Sequence, residues 1–278
     1  MRKQVFALVG DGSRALDLDS GDPGLFGPGS VSWKVHADFT GMMIGGVSAL
    51  LLQMLHPGAL AGVWDHSNFR QNILGRLKNT AQFIAATTYG STRSAHAQIA
   101  RVQSIHDRVH GHLPDGTPYS ANDPHLLTWV HVAEVTSFLK SYLRYRDPHL
   151  SRADQDRYFA ETAEIARRLG ATDIPTTVAE VESYFARLLP ELVCDHRTRE
   201  VAAALMNHPS PTMLTVPFRR VTMDAGVDLL PDWAARLHGL RLAGPRRHLA
   251  RAGALGIGNV LRWALSTGSA ERARTRSG

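Results

Sequence analysis

Apolar positions recur every three or four residues along most of this chain, the period of a helix with one face in a core. Leu74, Leu77, Ala81, Ile84 and Ala85 keep that spacing over residues 73–88. Ala95, Ile99, Val102, Ile105 and Val109 keep it over 91–110, and Leu127, Val130, His131, Val135 and Leu139 over 123–145. Four further helices are predicted at 151–170, 177–188, 195–207 and 245–265, and another opens at Leu229-Leu230-Pro231-Asp232. Capping residues agree with these limits. Ser91 or Thr92, Asp123 before Pro124, and Ser151 can open helices, and Gly90, Gly111 and Gly170 can close them. Ser30 or Ser32 can start one near Val31 or Trp33, after a loop of glycine and proline at 21–30. Residues 113–123 and 209–227 read as loops, and 65–72 as a polar connector. No alternating run of β-branched residues and no internal repeat occurs. The expectation is all-α: a single globular domain of nine or ten helices over 1–265, then a disordered basic tail at 266–278.

Residues 41–63 contain no Asp, Glu, Lys or Arg, a stretch long enough to span a bilayer. Gln53, His56, Pro57 and five glycines interrupt it. A buried helix over 40–55, ended by His56-Pro57, explains it more simply. The N-terminus has a short apolar run from Val5 to Val9 and no clean cleavage site, so no secretory signal is expected. A cytoplasmic location and no membrane contact follow as expectations.

Composition sharpens the picture. Of 278 residues, 44% are apolar and 20% charged, which excludes a disordered or fibrous chain. The lone cysteine, Cys194, excludes a disulfide framework and an all-cysteine metal cluster. Aromatics at 7% are too sparse for a single-strand stacking surface. The fourteen histidines stand out and point to metal, haem or proton chemistry. The net charge is +6, yet residues 236–278 hold nine arginines against Glu271, a sum of +8 that leaves −2 for the rest. A solvated helix and tail account for that charge, and no nucleic-acid partner is expected.

Phosphate loops, nucleophile elbows and dinucleotide fingerprints are missing, so chemistry would belong to a bound cofactor. Arg76 and Thr80, four apart, share a helix face. His106 and His110 have the same spacing, which suits two imidazoles on one metal ion, one axial haem ligand with a neighbour, or a surface pair. Asp107, not Glu, follows His106, so the zinc-protease pattern is missing. His131 reads as a core histidine or a ligand, and His56 as the end of an apolar helix. Asp65, His66 and Ser67 read as a turn or a short proton relay.

Several segments share an order and spacing with a known family. They are Leu51-Leu52-Gln53-Met54-Leu55-His56-Pro57, His66-Ser67-Asn68-Phe69 and Gly75-Arg76-Leu77-Lys78-Asn79-Thr80. Ile105-His106-Asp107-Arg108-Val109-His110-Gly111, Tyr119-Ser120-Ala121-Asn122-Asp123-Pro124, Leu126-Leu127-Thr128-Trp129-Val130-His131 and Leu230-Pro231-Asp232-Trp233-Ala234 extend the set. Together they resemble the catalytic domain of the rubber oxygenases (latex-clearing proteins) and of the fungal oxygenase of mycophenolic acid biosynthesis, over residues 21–240. The resemblance implies a helical fold around a b-type haem, with His106 as the iron ligand and Arg76 and Thr80 beside the haem. His110 and His131 join the implied cofactor site, and Arg76, Thr80 and Asn79 the implied catalytic group. Asn79 stands where the rubber oxygenases have a lysine, with Lys78 before it, and Asp65 is the nearest acid upstream of Arg76. The implied function is a haem b-dependent oxygenase or oxidase. Its partners would be dioxygen or peroxide and a small secondary-metabolite or lipid-like substrate, not polyisoprene. A haem protein without turnover and a non-haem enzyme using His106, His110 and His131 are the alternatives.

Overall fold

The computed structural model describes residues 21–208 and 216–264. Ser30 opens the first helix, α1 (Val31–His36), by accepting the amide hydrogen of Trp33. Asp38 does the same for Gly41 at the head of α2 (Phe39–Gln53). After them come α3 (Pro57–His66), α4 (Phe69–Tyr89) and α5 (Thr92–His106), then a hairpin of β1 (His110–His112) and β2 (Pro118–Ser120). Seven helices follow: α6 (Pro124–Tyr145), α7 (Arg152–Leu169), α8 (Val178–Leu188), α9 (His196–Met206), α10 (Val216–Leu229), α11 (Asp232–His238) and α12 (Gly244–Ala264).

The uncharged helix α2 lies at the centre and packs along α6. Its Ile44, Val47, Leu51 and Leu52 are buried, as are Trp129, Val132 and Phe138 of α6. Gly45 lets the two backbones approach, because a Cβ there would stand 2.8 Å from Phe138 Cδ1 and 3.0 Å from the Ser137 carbonyl oxygen. α10 and α12 cover one side of α2. On the other, α4 and α5 form an antiparallel pair, α7 bridges α5 and α6, and α1 sits among α2, α4, α6 and α7. Taken together, α2 and α3 are apolar enough to cross a membrane only as a pair bent by 103°, and no single described helix is.

The all-α expectation holds, with twelve helices among the described residues in place of nine or ten. His56-Pro57 ends the apolar helix and also begins α3, because Pro57 takes the first helical position and His56 caps it. The supposed loop at 209–227 contains α10, whose buried face is built from Thr222, Asp224, Ala225 and Gly226 as well as Val227 and Leu229. Small and polar residues on that face hide the apolar period. Residues 209–215 and the tail at 266–278 lie outside the described residues.

Candidate functional site

Asn72 breaks α4, with φ −142° and ψ 53°, and its Oδ1 accepts the Gly75 amide hydrogen at 2.9 Å. It acts as an internal cap, so a fresh helix begins at the sequence-predicted Ile73 and places Arg76 in its opening turns. Arg76 lies 13 residues before Tyr89, the end of α4, and His106 lies 14 after Thr92, the start of α5. In an antiparallel pair those lengths bring both residues to the same end, about 20 Å from the turn at 1.5 Å per residue.

Both residues are half-buried. Burial lowers the Arg76 pKa, yet its guanidinium makes no ion pair or hydrogen bond with any described residue. A desolvated cation without a partner is costly unless something outside the chain supplies the anion. Burial likewise lowers the His106 pKa, with Asp107 pulling weakly the other way, so the ring is held neutral. Its Nδ1 is buried without a hydrogen-bond partner. Thr80 shares the Arg76 face, and Thr80, Asn79 and Lys78 are all exposed.

His110 departs from expectation. α5 stops at His106, and His110 pairs with Ser120 in the β-hairpin, its side chain exposed. The two histidines therefore do not share a helix face. Gly111 lets the hairpin close tightly, since a Cβ there would stand 3.0 Å from the Tyr119 hydroxyl. The same contacts correct the reading of Asp65 and His66. Tyr119 donates to Asp65 at 2.6 Å, and His66 Nε2 donates to the His110 carbonyl at 3.1 Å, so they anchor the hairpin.

α6 and α7 add an inner polar wall. His131 is pushed down to about 4 by burial, helped by the charge of Arg167. Glu134, one turn further along α6, is pushed up to about 7 by burial and makes no hydrogen bond or ion pair with any described residue. Burial of Tyr158, with the charge of Glu134 adding to it, holds its phenol well above its usual range. Tyr158 meets His36 Nε2 at 3.0 Å, and His36 Nδ1 meets the Thr88 hydroxyl at 2.9 Å. The wall thus joins α1, α4, α6 and α7. Glu134 was open to discovery in the sequence as the single acid in residues 124–145.

His106, His110 and His131 do not gather into a metal-sized group. Among the described residues that property belongs to His56, His125 and Glu191. His125 Nε2 lies 2.8 Å from Glu191 Oε2 and His56 Nε2 lies 3.7 Å from it. His56 Nδ1 accepts the Gly58 amide hydrogen at 3.1 Å, so its neutral ring carries the proton on Nε2. A metal on Nε2 would move that proton to Nδ1, against the amide. One imidazole bonded to a carboxylate, with His56 packed beside it and its Nε2 left without a hydrogen bond, describes this cluster better than an ion site.

Fold and site define an all-α protein with half-buried, unpaired polar groups on α4, α5 and α6. The profile of the family described as "ER-bound oxygenase mpaB/B'/Rubber oxygenase, catalytic domain" matches residues 33–263. The chain belongs to that oxygenase family, as its motifs implied, and the match takes in every residue of the site. No curated protein and no solved structure matches it.

Proposed function

We propose that the chain is a haem b-dependent oxygenase in which His106 is the iron ligand. The carrying observation is the buried, unpartnered Nδ1 of His106 on a ring held neutral by its surroundings. Metal ligation requires a neutral imidazole with a nitrogen that no other group engages, and this ring offers one. Arg76, level with it on the neighbouring helix and lacking a counter-ion, suits a haem propionate. Bound haem would supply a redox-active iron at which dioxygen or peroxide is activated.

The chain's own groups then have distinct tasks. Arg76 would hold a carboxylate, and in the opening turns of its helix segment the positive end of the dipole, which opposes its own charge, adds to the attraction for that anion. Thr80 offers a hydroxyl and Asn79 an amide on the exposed side, where a small organic substrate would be held. Glu134 can keep or release a proton at its carboxyl near neutral pH, and His131 remains an uncharged wall residue. Titration with hemin tests this reading. The wild-type chain should develop an intense band near about 400 nm at one equivalent, with His106→Ala losing it or shifting it strongly. A His106→Ala protein with full haem content and the same spectrum would rule out this ligand.

A further inference from the structure

A polar cavity lies apart from the residues of that site, and none of them lines it. It has a volume of about 130 Å3 and is walled by Arg144, Arg241, Arg247, Arg251, Asp228 and Asp232, among others. The volume compares with the ~10–15 Å3 that one water needs, so a tetrahedral oxyanion has room. Arg144 is ten residues beyond Glu134 along α6, about 15 Å at the helical rise.

Asp228 is the hub, its side chain only 1% exposed. Arg144 Nη1 donates to its Oδ2 at 2.8 Å. Arg251 donates through Nε to Oδ2 at 2.7 Å and through Nη2 to Oδ1 at 3.2 Å. The carboxylate is thereby largely used up. Arg247 Nε stands 3.1 Å from Oδ1, but misaligned, and this buried N–H has no acceptor. Arg241 has no hydrogen bond or ion pair with any described residue. Four guanidiniums face two carboxylates, an excess of two positive charges. Arg247 also belongs to the first turn of α12, where the helix dipole adds to the positive potential.

We propose that this cavity binds a doubly charged oxyanion, phosphate or a phosphate monoester, with Arg241 and Arg247 as its principal donors. Guanidinium forks match phosphate oxygens in geometry, and the charge excess equals that of the dianion. Neither argument depends on the haem reading. The ligand can be free phosphate or the monoester headgroup of phosphatidic acid, and the test separates them.

Inorganic phosphate is titrated calorimetrically into the full chain at ionic strength held constant with chloride. Vesicle binding is then measured on phosphatidylcholine with and without phosphatidic acid. The expected result is saturable one-to-one binding of phosphate, weakened about tenfold or more in Arg241→Gln and in Arg247→Gln. Arg241→Gln should melt like wild type without phosphate, because its side chain has no partner in the fold. Binding confined to phosphatidic acid vesicles, and lost in Arg241→Gln, would support the site and assign the lipid source. No saturable binding in either arm, or binding unaffected by both substitutions, would overturn the proposal.

Discussion

Imidazoles and one carboxyl that are buried or half-buried make the fold respond to acid in opposite senses. His36 stays neutral down to about 3 and His131 to about 4, whereas both rings protonate near 6.5 in an unfolded chain. Below 6.5 the unfolded chain binds the extra protons, so stability falls as pH drops, by up to about 1.4 kcal/mol per unit for each ring. His56, His106 and His238 shift in the same direction. Glu134 opposes them. It keeps its proton up to about 7 in the fold and loses it near 4.5 when unfolded, so its contribution is full below 4.5 and lost as pH rises through 7. The histidines outnumber it, and urea unfolding should show stability declining from pH 6.5 to 4.5. Glu134→Gln removes the opposing group and should steepen that decline by up to about 1.4 kcal/mol per unit. An unchanged slope would mean that Glu134 is ionised in the fold.

Arg76 and His106 stand out in the sequence through the motifs that carry the family resemblance, and both fall within the matched span. Glu134, an acid three residues after His131 in an apolar helix, is visible too, but no motif contains it. His110 misleads, since its spacing from His106 is helical while its backbone pairs with Ser120 across the hairpin, a contact between segments that spacing does not show.

Helix limits carry a similar lesson. Ile73 was correctly placed as a start because Asn72 caps locally, and a local signal survives in sequence. α10 was hidden because its inward face meets α2 with small residues, a choice made by the close approach of another helix. Such approaches can be measured. Gly45 and Gly46 are neighbours in α2, and alanine at either should gain about 1 kcal/mol of helix propensity. At Gly45 the new methyl would strike Phe138, so Gly45→Ala should lose about 1–3 kcal/mol net. Nothing lies within 4 Å of a Cβ at Gly46, and Gly46→Ala should be stabilising by about 0.5–1 kcal/mol. Chemical denaturation of both variants checks the signs, and equal effects would contradict the packing of α2 on α6.

Across the whole molecule, four arginines of the basic C-terminal segment turn out to be tied inward. Arg246 pairs with Asp224, Arg247 and Arg251 with Asp228, and Arg262 with Asp38. The sequence showed an excess of charge but could not show that three buried carboxylates on or beside α2 and α10 receive it. Asp228→Asn leaves three arginines around a neutral amide and should cost about 2–3 kcal/mol, a buried-pair loss discounted for the partly exposed guanidiniums. Lys34→Ala, which removes only the surface pair with Asp147, should cost less than about 1 kcal/mol. Urea unfolding of the two variants would contradict the clasp if their losses were alike.

The oxygenase account rests on where iron sits in this helical body. Diffraction from crystals of the hemin-loaded chain, recorded at the iron absorption edge, locates the metal directly. The account expects an anomalous peak at bonding distance from a ring nitrogen of His106, with Arg76 beside the macrocycle. A peak bonded to another residue, or a His106 ring turned to solvent beside a haem held elsewhere, would contradict it.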